Sequence, residues 1–144
     1  MRALIVAALL AAGLPAITAH AQTAPAALAD PEPIANHIFE PLKQGNVEDA
    51  VKAIVDASPS TSPDLAARLD GIRRQIQAMI TESGPVVRWE RVKTESLGTM
   101  VRRDTYIVLH KNTVMRWRFI YMKLDRGWMI GGFAFESEAG TWFD

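Results

Sequence analysis

The sequence predicts an α+β fold, with three N-terminal helices packed on one face of a curved four-stranded antiparallel meander sheet, cone-like in shape. Three observations carry this prediction. Apolar residues recur at helical spacing as far as Gly84-Pro85. From Val86 onward β-branched and aromatic residues become dense, and Gly and Pro thin out. The joints between these later apolar runs are only a few residues long. Antiparallel neighbours can use such joints, whereas a parallel pair needs a crossover of about a dozen residues.

Residues 1–21 read as a secretory signal peptide. Met1-Arg2 supply a short positive start, and Leu4, Ile5, Val6, Leu9 and Leu10 form the apolar stretch. Gly13 and Pro15 break it, and Ala19-His20-Ala21 places small residues where a signal peptidase reads them. The 17 uncharged residues from Ala3 to Ala19 fall short of the roughly 20 apolar residues of a stable span. Cleavage after Ala21 leaves 123 residues and no stable membrane span. Residues 22–33, with Pro25, Pro31 and Pro33 among small side chains, read as an Ala/Pro-rich tether. A single α+β domain is expected over 34–144.

The first helix follows from Ile34, His37, Ile38 and Leu42; Pro41 interrupts it and Gly45-Asn46 ends it. Asn46 is a good N-cap for the second, with Glu48 and Asp49 in the favourable first turn. Val47, Ala50, Val51, Ile54 and Val55 form its apolar stripe. Ser62-Pro63 opens the third, as cap and first helical residue. Leu65, Leu69, Ile72, Ile76, Met79 and Ile80 then repeat with a period of 3.6, and Gly84-Pro85 terminates it.

Strands are expected at about 86–97, 99–110, 113–124 and 127–136. Met115, Trp117, Phe119 and Tyr121 share a parity and should face the helices, with Arg116 and Arg118 on the outer face or rim. In the last strand Met129, Phe133 and Phe135 share a parity, and Gly131-Gly132 suggests a bulge that curls the sheet.

Composition narrows the function. The 144 residues are 49% hydrophobic with no formal net charge, which excludes a disordered chain and a dedicated nucleic-acid binder. The absence of Cys removes disulfides, thiol nucleophiles and a lipidated Cys anchor. The neutral total hides an asymmetry. Residues 22–83 carry five basic and nine acidic side chains, while residues 84–144 carry ten and seven. An acidic helical layer facing a basic sheet accounts for this without a ligand.

Gly45-Asn46-Val47-Glu48-Asp49-Ala50, Met115-Arg116-Trp117-Arg118-Phe119-Ile120-Tyr121 and Leu124-Asp125-Arg126-Gly127-Trp128-Met129-Ile130 resemble the nuclear transport factor two-like superfamily, which includes SnoaL-like and ketosteroid isomerase-like proteins. The likeness is to its small secreted bacterial members and covers about Ile34 to Glu136. It implies a cone with an apolar interior. Catalytic members place a Tyr, Asp or His there, and no such set matches here residue by residue.

No motif assigns a cofactor or a metal. His110, at a hairpin end beside Lys111 and Asn112, reads as a solvated turn histidine. With His37 the only other histidine after the leader, a three-His site cannot form. Asp104 and Glu90 are the strand carboxylates that could serve Tyr106 or Tyr121, and cross-strand pairing with Arg88, Arg102 or Arg116 is the expected alternative. Arg116-Trp117-Arg118 evokes a base-stacking platform, but alternation sends the Trp to the face opposite both arginines. Met100, Met115, Met122 and Met129 read as adaptable core filler.

The expectation is an exported, periplasmic or secreted, non-catalytic module. Its cone pocket, walled by Tyr106, Trp117, Phe119 and Tyr121, would take a small apolar molecule or part of an envelope protein. Two alternatives remain open: an isomerase- or cyclase-like enzyme with a Tyr–carboxyl pair, and an envelope interaction protein acting as a homodimer through the outer sheet face.

Overall fold

A computed structural model describes residues 30–59 and 65–143. The expected leader, most of the tether and the Ser62-Pro63 helix start lie outside the described residues. Three helices, α1 (Glu32–Lys43), α2 (Val47–Asp56) and α3 (Leu65–Ser83), precede four strands. These are β1 (Val86–Leu97), β2 (Val101–His110), β3 (Val114–Leu124) and β4 (Gly127–Glu136), with a short 3-10 turn at Ala139–Thr141. The sheet runs in the order β1-β2-β3-β4 with every pair antiparallel. This is the predicted α+β meander.

α1 starts at Glu32, two residues inside the expected tether, and runs two residues past Pro41. Pro41 sits in the last turn, so it removes a single i→i−4 bond, to the His37 carbonyl, close to where the helix ends in any case, and its own carbonyl accepts from the backbone N–H groups of Gln44 and Asn46. Asn46 caps α2 by accepting from the Asp49 backbone N–H at 3.1 Å. Ala35, Ile38, Phe39 and Leu42 of α1 and Val47, Ala50, Val51 and Ile54 of α2 are buried. In α3, among the residues whose burial is described, the stripe is buried at Ile76, Met79 and Ile80. Leu69 and Ile72 remain half-buried.

Met115, Trp117, Phe119 and Tyr121 point into this core as expected. The last strand differs from its sequence parity. Ile120 pairs with Gly132 and Tyr121 with Ile130, so Gly131 is the extra residue of a bulge. That inserted residue resets the alternation. Ile130 therefore joins Phe133 and Phe135 on the core side, while Met129 pairs with Met122 on the other face. The methionines are not uniformly core filler either, since Met100 sits in the β1–β2 turn and is exposed.

The charge asymmetry is expressed mainly within layers. Arg73 pairs with Glu48 and Asp70 among the helices. Arg103 pairs with Glu95, and Arg116 and Arg118 with Glu136, within the sheet. Among the described residues, helix-side acids reach sheet arginines only at the entry to α1, through Asp30 and Glu32.

Candidate functional site

The four residues expected to wall a ligand pocket do come together. Tyr106 from β2 and Trp117, Phe119 and Tyr121 from β3 are all fully buried on the concave face. They do not enclose open space, because α1 fills the cone. Phe39 places its ring 5.5 Å from Tyr106, 5.3 Å from Trp117 and 5.8 Å from Phe119, each edge-on. This is the preferred geometry for packed aromatic quadrupoles. Phe39 was missed by sequence reasoning, although it lies four residues after Ala35 and three before Leu42, on the buried stripe.

Beside this aromatic block lies a polar end of the concave face. Asp104 is completely buried. Its Oδ1 accepts from Arg102 Nε at 2.7 Å and from the Thr94 hydroxyl at 2.9 Å, and its Oδ2 lies 3.6 Å from Arg91. Glu90, the other carboxylate considered, is exposed. The Tyr106 and Tyr121 hydroxyls are buried and have no hydrogen-bond partner among the described residues. Burial, with the Asp104 carboxylate adding to it, pushes the Tyr106 hydroxyl up to about 12. Burial likewise pushes Tyr121 above the usual phenol value. Neither tyrosine hydroxyl is within hydrogen-bond distance of a carboxylate among the described residues.

His110 is a correction to the solvated-turn expectation. It is 1% exposed. Its Nδ1 is 2.9 Å from the Gly84 carbonyl, which the β1 entry brings back over the β2 end. Desolvation lowers its pKa below the ordinary 6.5, against a smaller opposing contribution from that carbonyl. Gly84 has φ +77°, and a Cβ there would stand 2.8 Å from Lys111 Cβ. Only glycine serves this closure without a clash. Among the described residues, no group of three or more His, Asp or Glu side chains could hold a metal ion. No helix among them is long and apolar enough to cross a membrane.

Open space lies elsewhere, in a cleft of about 1190 Å³ between α3 and β4. Leu69, Ile72 and Met79 line it from α3, and Ile130, Phe133 and Phe135 from β4. The backbone of Gly131 and Gly132 also borders it. Arg68, Gln75, Glu82 and Glu136 supply polar groups around it. The cleft floor is continuous with the core, since Phe135 stacks on Trp117 at 4.8 Å. Two features hid it in the sequence. The Gly131 bulge resets the facing of β4, and the open angle of α3 is set by packing rather than by its periodicity.

No protein-family model and no curated protein sequence matches this chain. Solved structures do. A Campylobacter jejuni protein named as an NTF2-like transpeptidase is 14% identical, with a TM-score of 0.56 over 71% of this chain and 97% of that one. A DUF4783 family protein from Bacteroides uniformis is also 14% identical, with a TM-score of 0.48 over 71% of this chain and 94% of that one. The first likeness establishes the fold: three helices on a curved antiparallel sheet, the NTF2-like cone. At 14% identity it carries the architecture alone.

Proposed function

We propose that this protein is an exported, non-catalytic module that binds a small apolar or amphipathic molecule, or a partner's apolar side chains, in the cleft between α3 and β4. The observation that carries the reading is the apolar floor of that cleft, open to solvent and built on the aromatic core. Polar and apolar groups share the lining about equally, which suits an amphipathic molecule, and a concave surface that pairs apolar walls with convergent polar groups is the usual form of a small-molecule site. The binding surface thus moves from the four buried aromatics to the flank of the cone. The non-catalytic part is supported by Asp104, whose Oδ1 accepts from Arg102 and Thr94 and from no tyrosine. Export is supported by the leader pattern of residues 1–21.

The test uses 1-anilinonaphthalene-8-sulfonate as a fluorescent probe, with dodecanoate as competitor. Saturable probe binding, displaced by dodecanoate and weakened at least about tenfold by Ile72→Asp, is expected. A tenfold change corresponds to about 1.4 kcal/mol, a modest part of a well-packed apolar contact. Equal binding by the wild type and Ile72→Asp would remove the cleft from consideration. Intact mass of the protein recovered from a bacterial periplasm checks export, with Gln22 expected as its first residue.

A homodimer through the outer sheet face is the second reading. Ile120 and Val114 of β3 alternate away from the core and are 44% and 38% exposed, respectively. Light scattering that gives a monomer mass at all concentrations would exclude it.

A further inference from the structure

The polar end of the concave face is built from two strands and occupied from a third element. Arg91 of β1 stands opposite Tyr106 in register, and Arg102 of β2 stands opposite Tyr121. Their side chains are 26% and 11% exposed, so both guanidiniums are largely withdrawn from solvent. The Asp30 carboxylate is shared between them. Its Oδ1 accepts from Arg91 Nη1 at 2.8 Å, and its Oδ2 lies 3.2 Å from Arg102 Nη1. Arg102 directs its Nε to Asp104 and so keeps Nη1 for Asp30. In the same cluster the Tyr106 and Tyr121 hydroxyls and Asp104 Oδ2 are buried without a partner among the described residues.

Two converging guanidiniums bridged by one carboxylate, over unpaired hydroxyls, make a strong acid-recognition arrangement. Entry to a helix does not require it, since one accepted backbone N–H would serve, and Asp30 also provides that to Glu32. We propose that Arg91 and Arg102 form a carboxylate-binding site at the mouth of the cone, and that Asp30 occupies this site in cis. A carboxylate from outside competes with Asp30 for the same two guanidiniums and lifts the start of α1 from the sheet.

The charge balance selects the ligand class. Glu32 and Asp104 lie 3.5 and 3.6 Å from Arg91. With Asp30 displaced, two arginines face two acids, and one monoanion restores the original balance. A phosphate dianion would overshoot it. The carboxylate can be carried by a small organic acid or by an acidic side chain of a peptide. This site is separate from the cleft and stands or falls independently of it.

Chemical rescue tests the proposal. Asp30→Ala in the full chain vacates the site, and acetate has the shape of the missing side-chain group. Acetate at about ten times its dissociation constant should raise the melting temperature of Asp30→Ala by about 4 °C over matched chloride. Phosphate should do no better than chloride. The wild type should move by less than about 1 °C, because its site is filled. Adding Arg91→Gln to Asp30→Ala should abolish the rescue. The blocked peptide acetyl-Ala-Glu-Ala-amide separates the sources: rescue by it as well as by acetate assigns a peptide side chain, and rescue by acetate alone assigns a small acid. Absence of acetate-specific rescue, or equal rescue with Arg91→Gln present, overturns the site. Should Asp30→Ala fail to fold, the neutral isostere Asp30→Asn serves instead. Its arginine Nε resonances should shift on acetate titration, and unmoved resonances count against the site.

Discussion

Replacing Phe39 with Ala should be among the most destabilising single changes available in this protein. The ring is fully buried and touches four others: Trp89 at 5.3 Å, Tyr106 at 5.5 Å, Trp117 at 5.3 Å and Phe119 at 5.8 Å. Truncating a buried Phe costs about 3–5 kcal/mol from lost transfer energy plus the cavity left behind. Edge-on aromatic pairs add about 0.5–1.5 kcal/mol each, although shared partners make such terms less than additive. The surroundings relax poorly, because all four neighbours are anchored on paired strands: Trp89 on β1, Tyr106 on β2, and Trp117 and Phe119 on β3. A loss of about 4–5 kcal/mol follows, close to the whole stability of a small domain. Phe39→Leu keeps most of the volume and should cost about 1–2 kcal/mol. Urea unfolding, followed by tryptophan fluorescence and circular dichroism, measures both. A cost below about 1.5 kcal/mol for Phe39→Ala would refute the packed cone, because removing a lid from an accommodating pocket should be nearly neutral.

Other outcomes follow from single features. Gly84→Ala places a side chain at φ +77° and against Lys111 Cβ, so a loss of about 2 kcal/mol is expected in thermal melts, and unchanged stability would show that the hairpin yields freely. His110 has a folded-state pKa below 6.5 because burial disfavours its charged form. Its contribution to stability is therefore full above pH 6.5 and is lost as pH falls through the folded value; a ring titration by NMR with its midpoint at or above 6.5 would contradict this. Burial raises the Asp30 carboxyl, but the Glu32 backbone N–H and the two arginines outweigh it, leaving the pKa below the ordinary 3.8. Its contribution is thus present above pH 3.8 and lost on further acidification. The stability gap between the wild type and Asp30→Asn should narrow there in acid unfolding curves.

The meander was legible because its signals are local. Turn residues and dense β-branched runs placed all four strands within two residues of their observed starts. Alternation alone set Trp117, Phe119 and Tyr121 inward. Asn46 reads as a cap from one residue and its neighbours, and it is one. The errors have a different origin. Simple alternation groups Met129 with Phe133 and Phe135, but pairing with β3 inserts Gly131 between them and reverses the facing. His110 looked solvated because Lys111 and Asn112 follow it, whereas burial comes from Gly84, 26 positions away. Phe39 was overlooked because its partners lie on strands from 50 to 80 residues later.

Residue order by itself determined the α+β class, the three helices before four antiparallel strands, and which β3 side chains face inward. Each of these rests on spacings within one element or across one short turn, where chain geometry permits few alternatives. Tertiary structure decided where the molecule is full and where it is open. Whether the ring of Phe39 fills the cone, whether α3 stands off β4, and whether Asp30 meets Arg91 and Arg102 all depend on distances between elements. Those distances are set by side-chain volumes and charges competing across the whole core, and no local pattern encodes such a competition.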